Sequence, residues 1–294
     1  MDCEWTFFSV DVELTNRCTE NCAMCPRHRL TRPQGMMSEE VFARVLSLAE
    51  RFASRVTFSG FGNPLFHPKW RDCVDRVRAV GLPAGLVLHP SVLTMETLQM
   101  LQEHPPSHLE VSFPSVDPGY FSVLCPNMGF HQALDRVMEL RRLDVAPLVC
   151  VGLETPNSPE SPATYRRFWK GRSVRSRVFP CHSRGGFLTD RQLLLARQAA
   201  SVSCGLLAIH GFITWNGEVL ACCHDLCGET RIGNVMRDEP LEIARLKWRY
   251  AADPPWRLCR SCDEFRKAWP LPSGPCPRDL SERGRCLARV TRKQ

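Results

Sequence analysis

The chain has no apolar run of about 20 residues, the length a membrane-spanning helix needs. Its first residues, MDCEWTFF, have neither the basic start nor the long apolar stretch of a secretion signal. A cytoplasmic protein is expected, with no membrane partner. There is no internal repeat and no low-complexity segment, so solenoid and linker architectures are set aside. With the first strand expected from residue 7, no separate peptide-binding domain is expected in front of it. The basic residues follow no helical or repeat register. The excess of +7 is concentrated at 165–177 and in the C-terminal tail and reads as a solvated basic face, so nucleic acid is not expected as a partner.

Cysteine, by contrast, is abundant, with sixteen in 294 residues. A reducing cytosol disfavours disulfides. Such cysteines are metal ligands, reactive thiols or small core residues. Cys73 and Cys150 lie in apolar-patterned segments and read as core.

Strand and helix patterns alternate through the first 180 residues. Strands are expected at 7–14, 55–60, 84–89, 108–113, 147–153 and 173–179. Helices are expected at 38–53, 69–80, 94–103, 129–143 and 162–170. In the first helix Val41, Phe42, Val45, Leu46, Ala49 and Phe52 have helical spacing, and Ser38 suits its N-cap. Six strand–helix units argue for an α/β fold with a parallel sheet, an open partial (β/α)6 barrel. Its chemistry should gather at the C-terminal strand ends. After about residue 181 the pattern changes. Asn216-Gly217 between two short apolar runs signals a hairpin, and 238–252 a helix with Leu241, Ala244 and Trp248 on one side. The expected division is 1–185 for the barrel and 186–294 for a small α+β module.

Cys18, Cys22 and Cys25 follow the first strand with the spacing C-x3-C-x2-C. Structural zinc wants four ligands, and His28 or His67 could supply the fourth, but zinc spacing runs in two pairs. A redox C-x2-C leaves Cys18 unused. A [4Fe–4S] cluster normally takes four thiolates, so three leave one iron open to an external ligand. A second set, Cys204, Cys222, Cys259 and Cys262, reads C-x12-G-x4-C followed by C-x2-C. Four thiolates in two pairs suit one closed metal site, and on spacing alone zinc in a ribbon is as good an occupant.

The C-x3-C-x2-C loop after strand one resembles the core of the radical SAM superfamily. In that family the open iron binds S-adenosylmethionine (SAM), and reductive cleavage gives a 5′-deoxyadenosyl radical. TFSGFGNPLFHP (57–68) resembles the segment that binds the methionine amino group. Gly60 and Gly62 match its glycines, and Asn63 stands where glutamate is usual. Met24 takes a position commonly aromatic and would wall the adenine. Ser112 and Ser115 sit where the family places polar contacts to SAM. The C-terminal set resembles the SPASM and twitch modules, which implies one auxiliary [4Fe–4S] cluster on Cys204, Cys222, Cys259 and Cys262. The longer SPASM cysteine run is broken at Ala268 and Pro272, so the match is to the shorter form, although Cys276 and Cys286 remain available.

The resemblance implies a radical SAM oxidoreductase or epimerase, served by a flavodoxin- or ferredoxin-type electron donor. Its auxiliary cluster would assist dehydrogenation or epimerisation of a sugar- or aminocyclitol-like natural-product intermediate. The alternative is a maturase of a ribosomally made peptide, so the substrate is a small molecule or a peptide. A non-catalytic zinc-ribbon protein on nucleic acid is the remote alternative. Cys223, Cys227 and Cys125 are candidates to give a hydrogen atom back to a substrate radical, with Cys181 as a rival. His182, Ser183 and Arg184, at the junction of the two parts, could reach the cleft.

Overall fold

A computed structural model describes residues 9–195, 203–260 and 262–264. Residues 7 and 8 of the expected first strand, and Cys276 and Cys286, lie outside the described residues. The elements run in strand–helix order. β1 (Ser9–Val12) is followed by α1 (Glu39–Phe52), β2 (Val56–Phe58), α2 (Trp70–Ala79), β3 (Ala84–Leu88) and α3 (Met95–Glu103). β4 (His108–Ser112), α4 (Pro118–Leu124), α5 (Phe130–Leu143), β5 (Leu148–Glu154), α6 (Pro162–Lys170) and β6 (Arg175–Pro180) complete the first part. The six strands pair in parallel in chain order; β1 to β4 lie within the ranges expected from the sequence, and β5 and β6 each run one residue past theirs, to Glu154 and Pro180. The parallel α/β architecture is therefore a partial barrel.

Side-chain caps start four of these helices. Ser38, Thr94, Asp117 and Ser161 each accept from a backbone N–H inside the first turn. In α1 the core side is Phe42, Val45, Leu48, Ala49 and Phe52. Leu48 replaces the expected Leu46 and Val41, which are only partly buried. The face turned to the sheet follows the true helical rotation, which 45-48-49-52 satisfies and 46 does not. α4 was not anticipated. Its first turn begins with Asp-Pro, which reads as a turn, but Asp117 accepts from Tyr120 N at 2.7 Å and Pro118 occupies the first helical turn. α4, α5 and α6 meet over β4 in an aromatic cluster. Phe113 lies 4.8 Å from Phe121 and 4.9 Å from Trp169, centre to centre.

The sheet continues past β6 in sequence but on its other edge in space. After α7 (Gly205–Ile209), β7 (His210–Ile213) pairs in parallel with β1, with Asp11 opposite Phe212 and Val12 opposite Ile213. β8 (Glu218–Leu220) and β9 (Arg231–Asn234) add antiparallel strands, and α8 (Pro240–Ala252) and α9 (Arg257–Arg260) follow. One nine-stranded sheet thus runs β6-β5-β4-β3-β2-β1-β7-β8-β9. β1 is its junction strand, with Ser9, Val10 and Val12 buried as in a strand between two parallel neighbours and Asp11 only partly covered. Thr214 to Gly217 form the four-residue loop of the hairpin between β7 and β8. Gly217 takes φ +82°, which glycine adopts without strain. No described helix is long and apolar enough to cross a membrane.

Candidate functional site

A cavity of about 370 Å³ lies over the C-terminal ends of the parallel strands. Asp11 at the end of β1, Ser59 after β2, His89 after β3, Ser112 of β4, Leu153 of β5 and Phe179 of β6 all reach it. Cys18, Cys22 and Cys25 line it as well, each half-buried. Their loop is set by local bonds. Cys25 N donates to Cys22 O at 3.0 Å and Ala23 N to Leu124 O at 2.9 Å. Cys25 then leads into a short turn, Pro26–Arg29, whose Arg27 guanidinium donates to Asn16 O at 3.1 Å. Burial pushes the Cys18 and Cys25 thiols up, while Arg27 and Arg184 pull in the other direction.

The glycine segment packs against this loop. A Cβ on Gly62 would sit 2.1 Å from Thr15 O, and one on Gly60 2.9 Å from Glu13 Cγ. Gly60 also takes φ +135°, a region closed to other residues. Asn63 N donates to Arg17 O at 2.9 Å, and its side chain accepts from Leu65 N at 3.1 Å. The Asn63 carboxamide oxygen is thus used in capping the next turn, while the residue still lines the cavity.

Glu13 holds these parts together, a role the sequence reading did not assign. It is fully buried and paired with Arg32 through two bonds of 2.8 and 3.0 Å. It also accepts from Phe61 N at 3.2 Å, and Arg32 donates to Leu226 O at 3.0 Å. The signal was present as an acidic residue at a buried position of the FFSVDVEL strand, where a charge needs a partner.

The second cysteine set converges too. Cys204 caps α7, Cys222 follows β8, and Cys259 and Cys262 flank the end of α9. All four are buried and line a cavity of about 20 Å³. Burial holds the Cys222 thiol well above its usual range, with neighbouring cysteines adding to it. His224 and Glu264 lie in the walls of both cavities. Glu264 Oε2 accepts from His224 Nε2 at 2.7 Å and faces His182 Nε2 at 2.9 Å. His182 Nδ1 accepts from Arg184 N at 3.1 Å, which leaves the ring proton on Nε2 to donate to Glu264. Burial pulls His224 down to about 3, so it is neutral near pH 7. One carboxylate receiving two imidazole N–H groups satisfies all three without a metal ion.

Lys247, also missed, is fully buried on α8 and donates to Ala221 O at 2.9 Å. Burial pulls its ammonium down to about 8, while the facing Cys222 and Cys204 oppose that fall. The core side of α8 is Ile243, Ala244, Lys247 and Ala251, not the expected Leu241 and Trp248, which are only partly buried. A lysine in that register was the available signal.

The remaining nominated residues separate clearly. Met24, Gly60, Gly62, Asn63 and Ser112 line the larger cavity. Ser115 does not: it is fully buried, and its hydroxyl accepts from Asp117 N at 3.1 Å in the turn before α4. Cys223 lines the cavity, its Sγ within 4.8 Å of the Asp11 carboxylate and His210. His210 and Asp11 are 2.9 Å apart; burial works against the Asp11 carboxylate, but His210 and Ser59 outweigh it and hold it below its usual range. Cys125 lies at the cavity edge with its Sγ 3.9 Å from Cys22 Sγ. Cys227 is outside the lining and faces Arg29 O at 3.8 Å, because the loop after Cys223 turns away over Arg32. Cys181, His182 and Arg184 all line the cavity.

The radical SAM superfamily model matches residues 12–160. The chain belongs to the radical SAM superfamily. A SPASM model, an iron–sulfur cluster-binding domain, matches residues 204–263. A curated relative from Pyrococcus furiosus, a tungsten-containing aldehyde ferredoxin oxidoreductase cofactor-modifying protein, is 33% identical over 94 residues, 31% of this chain and 26% of its own. A PqqA peptide cyclase from Bradyrhizobium diazoefficiens is 32% identical over 113 residues, 38% of this chain and 30% of its own. The matches therefore span less than a third of those relatives. In fold the chain is similar to BtrN in complex with AdoMet and 2-DOIA, with TM-score 0.62, 17% identity and coverage of 88% and 94%. It is also similar to Streptococcus suis SuiB bound to precursor peptide SuiA, with TM-score 0.66, 12% identity and coverage of 89% and 71%.

The superfamily brings SAM and a [4Fe–4S] cluster, and the SPASM domain auxiliary iron–sulfur binding. The donor sets fit. Two separate groups of cysteines, three on the open cavity and four around a closed one, match an open and a fully ligated cluster. Among the described residues Glu20 Oε2 and His89 Nε2, on the larger cavity, are buried with no hydrogen-bond partner. A ligand bearing an ammonium and hydroxyls would satisfy them.

Proposed function

We propose that this chain abstracts hydrogen from a C–H bond of a small polar substrate, sugar- or aminocyclitol-like, and completes a net two-electron oxidation. Cys18, Cys22 and Cys25 would hold the SAM-facing cluster, and Cys204, Cys222, Cys259 and Cys262 the auxiliary one. When bound, the first with SAM supplies the 5′-deoxyadenosyl radical, and the second an acceptor for the electron a substrate radical gives up. The observation that carries the reading is the shared wall, because His224 and Glu264 border both cavities. A substrate held there lies between the two cysteine sets.

The chain's own residues bind and orient. Gly60 and Gly62 bring the backbone close to the cysteine loop, and Met24 offers an apolar face. Glu20 and His89 accept or donate to polar groups of SAM. Glu264, His182, His224 and Arg184 form a polar wall suited to hydroxyl or amine groups of a small substrate, and 370 Å³ lies within the range of small-molecule sites. Glu13 and Arg32 keep the glycine segment and the loop after Cys222 in register. An electron donor of the flavodoxin or ferredoxin type belongs to this reading.

A peptide substrate is the second reading. It is favoured by the peptide cyclase among the relatives and by the peptide bound to SuiB. In either case Cys223 is the thiol best placed to return a hydrogen atom, should the outcome be epimerisation. A zinc ribbon on nucleic acid accounts for neither the three-cysteine cavity nor the family. The test is anaerobic reconstitution with iron and sulfide, then dithionite and SAM with sugar-like and peptide candidates. Expected are 5′-deoxyadenosine with wild type, none with Cys18, Cys22 and Cys25 all changed to alanine, and an oxidised small product. Product only from peptides would overturn the first reading.

A further inference from the structure

Lys247 occupies a core position of α8 with no exposed surface. Its Nζ is tied at 2.9 Å to the carbonyl of Ala221, the residue before Cys222. Cys204 N donates to Ala251 O at 2.7 Å, one turn further along the same helix, so α8 lies against both Cys204 and the residue before Cys222. A buried ammonium is costly unless an anion opposes it. Neutral thiols do not, whereas thiolates on a metal cluster do, since the assembly carries net negative charge. A plain packing role would be met as well by methionine, which brings no charge to bury.

We propose that Lys247 is the fixed counter-charge of the auxiliary cluster, a positioning residue that raises the cluster's reduction potential. The inference rests on the reading that Cys204, Cys222, Cys259 and Cys262 hold an iron–sulfur cluster. Reduction adds one electron and hence one negative charge to the site. A cation held rigidly beside it in a low-dielectric interior favours the reduced form more than the oxidised one. The lysine would thereby keep the cluster ready to accept an electron. The hydrogen bond to Ala221 matters because it prevents the ammonium from swinging away from the cysteines.

The experiment is a potentiometric titration of reconstituted full-length protein, followed by electron paramagnetic resonance, with iron and labile sulfide counted alongside. Wild type is compared with Lys247→Met, Lys247→Gln and Lys247→Arg. At the wild-type midpoint of the auxiliary signal, the neutral variants should show a reduced-to-oxidised ratio at least tenfold lower. For a one-electron couple that is a shift of about 59 mV to more negative potential. Lys247→Arg should stay within about twofold of wild type. Loss of the auxiliary iron from both neutral variants, with retention in Lys247→Arg, also supports a counter-charge. An unchanged midpoint in an iron-replete neutral variant, or iron loss from Lys247→Arg as well, overturns it in favour of packing. Zinc without labile sulfide at the second set in wild type would overturn the cluster reading itself, which the iron count reveals before any variant is made.

Discussion

At the scale of single residues, the site depends on close approaches that allow little substitution. Gly62→Ala would place a methyl 2.1 Å from Thr15 O, so the glycine segment must lift away from the cysteine loop. Overpacking of this kind costs about 1–3 kcal/mol, and a lowered Tm together with poor iron retention is expected on reconstitution. Glu13→Ala leaves Arg32 buried without its carboxylate. Breaking a buried pair from one side costs about 3–5 kcal/mol, so chemical denaturation should show a loss of that order; a loss below about 1 kcal/mol would contradict the role given to Glu13. The nominated cysteines divide in the same way. Cys227→Ser should leave 5′-deoxyadenosine formation and product unchanged by chromatography, because its thiol faces Arg29 O outside the cavity.

At the scale of elements, the hairpin that carries Cys222 is the sensitive joint. Gly217 takes φ +82°, and a Cβ there would meet Val235 Cγ2 at 3.0 Å. Left-handed backbone costs other residues about 1–2 kcal/mol, so Gly217→Ala should lower Tm by several degrees, measured by calorimetry. This hairpin was legible from Asn216-Gly217, and the six strands of the first part and six of the helices were legible from their periodicity. So were the two cysteine sets, because spacing in the chain is a local property. What escaped the sequence is non-local. The parallel pairing of β7 with β1 joins residues some two hundred positions apart, and nothing in either strand names its partner. Ser115 was misplaced because the turn at the end of β4 consumes its hydroxyl. Glu13 and Lys247 were visible as charges at apolar-register positions, but their partners lie on distant elements.

At the scale of the whole molecule, two cysteine sites hang from neighbouring strands of a single sheet. Full reconstitution should give about eight irons per chain, four for each cluster. Changing Cys204, Cys222, Cys259 and Cys262 to alanine should leave about four irons and detectable SAM cleavage, but abolish the oxidised product, by iron assay and mass spectrometry. Retention of product would argue against an electron-accepting role for the second site. The junction strand has a further consequence for biosynthesis. β1 emerges from the ribosome early, but its partner β7 is complete only at residue 213. At about 5–20 residues per second, the open side of β1 waits on the order of ten to forty seconds for that partner. Throughout that interval the strand from which the cysteine loop departs has one neighbour instead of two, so low-temperature or slow-translation expression, and chaperones that shield strand edges, should change the yield of soluble protein more than they change its final stability.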